Sequence, residues 1–130
     1  MCGVIAWIGQ PESTPDRAVI KRVSARMHHR GPDGHGLSQS GHVALGHQRL
    51  AIIDLAGAVQ PMEHPSGLRL TFNGEIYNFR SLRRRLEGLG HSFRLDSDTE
   101  VLAAACAQWG PDAVNELEGM YAFVVDDPNR

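Results

Sequence analysis

Cysteine is scarce in this 130-residue chain, which has only Cys2 and Cys106. Two are too few for a disulfide framework or a four-thiolate zinc site, and a reducing compartment would keep both as thiols. Aromatic residues make up just 6%. No apolar run comes near the roughly 18 residues that a membrane span requires. The N-terminal stretch MCGVIAWIGQPEST lacks the basic leader and apolar region of a signal peptide. Neither sign of charge dominates, since 13 Lys plus Arg stand against 15 Asp plus Glu for a formal charge of −2, so no basic footprint for nucleic acid is present. A cytoplasmic protein with no membrane or nucleic-acid partner is therefore the expectation. The seven histidines are dispersed without HExxH spacing or a Cys-x-x-Cys companion, so no metal site is expected. GxxxxGK[ST] and GxGxxG are also absent, which leaves nucleotide binding without support in these residues.

What the chain does have is glycine, 14 residues against the ~9 that average usage would give. They gather in segments that also hold polar residues, where a site should be sought. With 42% hydrophobic and 22% charged residues, the composition is that of one globular domain with a real core. Residues 2–9, CGVIAWIG, read as a strand. Ser13-Thr14-Pro15-Asp16 is a helix start, after which Val19, Val23 and Met27 recur at helical spacing until Gly31-Pro32. RGPDGHG at 30–36 reads as a loop. Strands are predicted at 42–48, 50–55 and 68–72, the last running into Asn73-Gly74, a dipeptide that favours a tight turn.

Helices follow. Asn78 can cap one that carries Leu82, Leu86 and Leu89 on one face, with Arg83-Arg84-Arg85 on its solvated side and Gly90 closing it. Phe93 is placed in a short strand. Ser97-Asp98-Thr99-Glu100 is a capping box that opens an Ala-rich helix to Trp109, Pro111 opens another helix, and 120–126 is a final strand. Cys106, among alanines, reads as a packing thiol. Strands in runs of two or three between helix pairs imply an α+β layered domain rather than a parallel βαβ sheet.

Several residues admit two readings. Cys2, if Met1 is removed, carries both a thiol and a free α-amine of comparable proton affinity, so nucleophile and base would share one residue; otherwise it is a small apolar residue at a strand start. Asn73 and the Gly74 N–H can both aim at one oxygen, as an oxyanion requires, or form a plain hairpin turn. Arg49, between the apolar pieces GHQ and LAIIDL, needs a partner. That partner is a substrate carboxylate, which its planar fork suits, or a surface acid. Glu75 and Asp98 can hold an ammonium group, or serve as turn and first-turn helix acids.

These segments together resemble a known family. MCGV at the N-terminus, HHRGPDGHG at 28–36, GHQRLAIIDL at 46–55, QPM at 60–62, NGEIYN at 73–78 and SDTEVL at 97–102 resemble, in order, the N-terminal glutaminase domain of glutamine-hydrolysing asparagine synthetases. These are class II glutamine amidotransferases, a branch of the N-terminal-nucleophile hydrolases. The RGPDG and NGEIYN forms look like the asparagine synthetase branch rather than the glucosamine-phosphate synthase or amidophosphoribosyltransferase branches.

The resemblance implies a four-layer αββα sandwich of antiparallel sheets, with residues 1–130 forming a glutaminase domain that lacks its last strands. It implies that Cys2 is the nucleophile, and that Arg49 binds the glutamine α-carboxylate with Leu50, Ile52 and Ile53 lining the same pocket. Asn73 and Gly74 match the oxyanion hole, while Glu75 and Asp98 match the acids that hold the α-ammonium. Arg30 and His47 lie in matching motifs as structural supports. Glutamine is the implied substrate and a C-terminal synthetase domain the implied partner, with a homodimer as one assembly the family allows. No cofactor is implied within these residues, since ATP and Mg belong to the synthetase domain. Two other readings stay open at this point: an amidotransferase of the same class that serves a different acceptor, and a glutamine-binding module without catalysis.

Overall fold

The computed structural model describes residues 2–50 and 59–130. Two three-stranded antiparallel sheets stack between helices. In the first, β1 (Gly3–Ile8) and β2 (Gly34–Ser40) flank β3 (Val43–Arg49). In the second, β4 (Met62–Glu63) and β6 (Gly119–Asp126) flank β5 (Arg69–Ile76). α1 (Arg17–Arg26) lies against β3, whereas α2 (Phe79–Gly88) and α3 (Asp98–Trp109) lie together beside the second sheet, with α3 against β4 and β5. The sheets meet through β1, β3, β5 and β6, giving the expected order of layers: helix, sheet, sheet, helices.

Period-two alternation along β5 divides its residues between two environments. Leu70, Phe72 and Ile76 face the helices and join Leu82, Leu86, Val101 and Leu102 in the main hydrophobic core. Arg69 and Thr71 face the first sheet instead. The Arg69 guanidinium donates to Asp126 on β6, to Ser38 Oγ at 2.9 Å and to the Val43 carbonyl at 3.4 Å. Thr71 bonds to His47 and Gly46 of β3. The gap between the sheets thus carries buried, hydrogen-bonded polar residues alongside the apolar Val43 and Leu45, and every buried side-chain polar atom among the described residues has a partner.

The helix ends follow from identifiable residues. Asp16 caps α1, accepting from Ala18 N at 2.8 Å. Ser97 Oγ caps α3 by accepting from Glu100 N at 3.2 Å. The Glu100 carboxylate does not close the reciprocal half of the capping box; it reaches further back, to the N–H groups of Arg94 and Leu95. α2 ends at Leu89, with Gly90 at φ +98° and His91 N returning to the Leu86 carbonyl. That is the six-to-one bond of a Schellman motif, which glycine accommodates.

Six sequence expectations are corrected. The buried face of α1 is Ile20 and Ser24, not the Val19-Val23-Met27 row, and Val23 is 45% exposed. Ser24 lies under Gly46 and accepts from Gln48 Nε2 at 2.9 Å, so a small hydroxyl fits where a valine would crowd the sheet. The GHG of RGPDGHG is the start of β2, not loop. β5 runs straight through Asn73-Gly74, with Gly74 opposite Tyr121, so no hairpin turn forms there. Phe93 is not in a strand; its ring lies under the Arg83 guanidinium, 4.9 Å from it. Asn78 sits at the cap position of α2, but its side chain straps residues 116–118 instead, donating to Glu116 O and accepting from Glu118 N. The segment opened by Pro111 is a 3-10 helix, Gly110–Glu116. Most of the strand expected at 50–55 lies outside the described residues, and the two-residue β4 carries no periodic signal long enough to read.

Candidate active site

β1 delivers Cys2 to the end of β3. Gly3 pairs with Gln48, so Cys2 comes opposite the Arg49–Leu50 turn-off. There its Sγ accepts from Leu50 N at 3.3 Å and lies 3.8 Å from the Leu50 carbonyl. The thiol is half-buried.

Arg49 is also half-buried and engaged with neighbouring groups. Its backbone is gripped by the RGPDG segment: Asp33 N donates to Arg49 O at 2.9 Å. A Cβ placed on Gly31 would stand 2.4 Å from the Gln48 carbonyl oxygen, so only glycine permits this approach. RGPDG therefore anchors the strand end that carries Arg49, and Arg30 itself is exposed.

By strand alternation Cys2, His47 and Arg49 share the face of the first sheet that looks across the gap. His47 is 2% exposed and its Nδ1 lies 3.2 Å from Thr71 Oγ1. Burial, with the Arg49 guanidinium nearby, pushes its pKa down to about 4, so the imidazole is neutral.

On the facing sheet the same alternation places Asn73, half-buried, two residues beyond Thr71 on the gap side, with Gly74 next to it. Gly74 has φ +151°, and a Cβ there would stand 2.1 Å from the Met120 carbonyl oxygen, so no other residue fits. Phe72 N donates to Gln60 Oε1 at 2.6 Å and Ile76 N donates to Asp98 Oδ2 at 3.1 Å. Both N–H groups therefore point to the edge of β5 away from β6. Alternation puts the Gly74 N–H on that same edge, between two N–H groups already held by side chains.

Asp98, the first residue of α3, thus ties that helix to β5 one residue past Glu75. Burial raises its carboxyl pKa, opposed by hydrogen bonds from the backbone of Ile76 and Thr99 and the Thr99 hydroxyl. Glu75 is exposed at the end of β5. Of the sequence-derived site residues, Ile52 and Ile53 lie outside the described residues. Cys2, Arg49 and Leu50 are brought together at one strand end, while Asn73, Gly74 and Glu75 lie on β5 of the facing sheet, to which Asp98 ties the start of α3.

Two residues of this neighbourhood were missed as functional candidates. Gln60 crosses from one sheet to the other: its carbonyl lies where a Cβ on Gly36 would be, 1.9 Å away, while its side chain holds Phe72 N. Thr71 joins His47 across the gap. The QPM motif and the polar residues inside RLTF were the available signals. Among the described residues no group of three His, Cys, Asp or Glu is placed to hold a metal ion, and no helix is long and apolar enough to cross a membrane.

Comparison with known proteins bears on this arrangement. A family model for the glutamine amidotransferase domain matches residues 1–130. A glutamine-hydrolysing asparagine synthetase of Asparagus officinalis is 45% identical over 129 residues, covering 98% of this chain and 22% of that protein. Asparagine synthetase 3 of Bacillus subtilis is 36% identical over 134 residues, covering all of this chain and 22% of its own length. The chain thus spans about a fifth of the length of these relatives. Among solved structures, the glutamine phosphoribosylpyrophosphate amidotransferase of B. subtilis superimposes with a TM-score of 0.71 at 25% identity, covering 95% of this chain and 35% of that one. An allosteric regulatory enzyme of purine biosynthesis gives 0.73 at the same identity and coverage. With the sequence match running end to end and the stacked sheets matching those of a solved amidotransferase, the chain belongs to the glutamine amidotransferase domain family.

Proposed function

We propose that this chain hydrolyses the side-chain amide of glutamine to glutamate and ammonia, and that the ammonia serves an ATP-dependent asparagine synthetase domain of the same protein in the cytoplasm. The observation that carries the reading is the Cys2 thiol, held 3.3 Å from Leu50 N at the strand end that bears Arg49, within a chain of this family.

In the proposed reaction Met1 has been removed and the Cys2 Sγ attacks the amide carbon of glutamine, forming a C–S bond as its proton passes to the Cys2 α-amine. The carbonyl oxygen takes the negative charge and meets the Asn73 amide and the Gly74 N–H. Each such donor contributes about 3 kcal/mol to the transition state. Collapse breaks the C–N bond, the α-amine returns its proton to the leaving nitrogen, and ammonia departs. Water then attacks the thioester, releases glutamate and regenerates the thiol.

Arg49 holds the α-carboxylate of the substrate, with Leu50 lining the same pocket. Glu75 and Asp98 hold its α-ammonium, Asp98 through an oxygen placed at the same edge as the Gly74 N–H. An analogue that lacks either charged group forgoes these contacts and is rejected. ATP and Mg are assigned to the synthetase domain, and no cofactor is assigned to these residues. The 45% identity to an asparagine synthetase, against 25% to the amidotransferases of solved structure, favours aspartate as the acceptor.

The test is Cys2→Ala in the intact protein. Glutamate release should fall by more than about a thousandfold, while product formation from ammonia supplied directly should persist. Glutamate release that survives the substitution overturns the assignment.

A further inference from the structure

We propose that Thr71 is a positioning residue for this reaction, setting the separation between the strand end that carries Cys2 and Arg49 and the strand that carries Asn73 and Gly74. The inference rests on the roles given to those four residues above.

Thr71 is completely buried on β5 and faces the first sheet. Its hydroxyl donates to the Gly46 carbonyl at 3.2 Å. Having used its single proton there, Oγ1 can only accept from His47 Nδ1, also at 3.2 Å. The imidazole is thereby held in the Nδ1–H form. The tie is neutral because His47 sits in a buried gap beside the Arg49 guanidinium, so it adds no second cation next to the charge that would receive a carboxylate.

Position along the strands gives the tie its effect. Arg69 and Thr71 occupy successive positions on the gap side of β5 and pin it to the first sheet, through Ser38 and Val43 in one case and through Gly46 and His47 in the other. The next position on that side is Asn73. On β3, the next position after His47 on the same side is Arg49. Thr71–His47 is thus the cross-sheet bond one alternation away from the proposed substrate contacts on both strands.

Substrate binding through Arg49 uses the first sheet, whereas the oxyanion donors sit on the second. Binding through Glu75 and Asp98 also reaches the second sheet, but ion pairs tolerate small displacements that a directional oxyanion donor does not, so losing the tie should lower kcat more than it raises KM.

Thr71→Val removes both hydrogen bonds at nearly constant volume, and Thr71→Ser keeps the hydroxyl. In the intact protein, Thr71→Val should lower kcat for glutamine hydrolysis about tenfold with KM within about twofold of wild type, and Thr71→Ser should restore kcat to within about twofold. Alkylation of Cys2 by iodoacetamide, which needs neither oxyanion donor, should proceed at the wild-type rate in all three proteins. An unchanged kcat in Thr71→Val overturns the inference. So does a serine variant as impaired as the valine one, a loss carried by KM, or a parallel slowing of alkylation, each of which marks Thr71 as part of the packing alone. If the wild-type protein releases no glutamate, the proposed function falls and this inference with it; an active wild type with an equally active Thr71→Val overturns this inference only.

Discussion

His47 takes up a proton far less readily in the folded protein than in the unfolded chain, because its ring is buried between the sheets with the Arg49 guanidinium nearby and Thr71 at Nδ1. Its folded pKa of about 4 lies below the ordinary 6.5. As pH falls through 6.5 the unfolded chain is protonated and the folded one is not, so stability from this group is intact above 6.5 and is lost progressively toward 4. The loss amounts to about 2 kcal/mol at pH 5 and about 3 kcal/mol below pH 4. Asp98 acts in the opposite sense: its carboxyl, raised by burial, is protonated in the folded state before the unfolded one, which returns some stability at the acid end. Denaturant unfolding at pH 7 and pH 5 should show His47→Gln losing about 2 kcal/mol less than wild type over that interval. An equal decline in both proteins would place the acid sensitivity elsewhere. Cys106, among the core residues of α3, has its thiol pushed up to about 11 by burial, which matches its reading as packing and leaves Cys2 as the reactive candidate.

At the scale of elements, the helix-facing side of the molecule was legible and the gap between the sheets was not. Leu82 and Leu86 on α2, the Ala-rich α3 with its serine cap, and β1, β3 and β6 follow from periodicity and capping residues that have one physical meaning. β2 was misread because GHG carries none of the side chains a strand usually shows. Gly36 is glycine because the Gln60 carbonyl occupies the place its Cβ would take, a contact from 24 positions along the chain that no local pattern reveals. Asn73-Gly74 was ambiguous for a related reason: a glycine at φ +151° within a strand looks locally like a turn.

α1 shows the same limit. Val19, Val23 and Met27 have helical spacing, yet Ile20 and Ser24 are the buried pair because Gly46 and Gln48 of β3 set the space beneath them. Ile20, 1% exposed, should lose about 2–4 kcal/mol on replacement by alanine, whereas Val23→Ala should stay within about 0.5 kcal/mol. Chemical denaturation of the two variants checks this, and the reverse order would restore the sequence-derived face.

For the molecule as a whole, the candidate site joins two sheets through buried polar cross-links, and that construction suits a reaction whose parts are shared between them. Cys2, Arg49 and Leu50 are read from motifs of the first sheet, Asn73 and Gly74 from a motif of the second, and Asp98 from the motif that opens α3. The family resemblance supplied their grouping, since each residue alone had an equally good structural reading. The layer that joins them, Thr71 with His47 and Arg69 with Ser38, was invisible because polar residues inside a strand pattern normally signal solvent rather than a second sheet.

Everything proposed about glutamine turns on Cys2 being the N-terminal nucleophile. Peptide mass spectrometry of the intact protein after incubation with a glutamine analogue, in which an electrophilic carbon replaces the side-chain amide, examines that point. The proposed mechanism predicts one adduct, on a peptide that begins at Cys2 with Met1 removed, blocked by excess glutamine and absent from Cys106. Labelling of Cys106 instead, an adduct that glutamine does not block, or no adduct at all would contradict it.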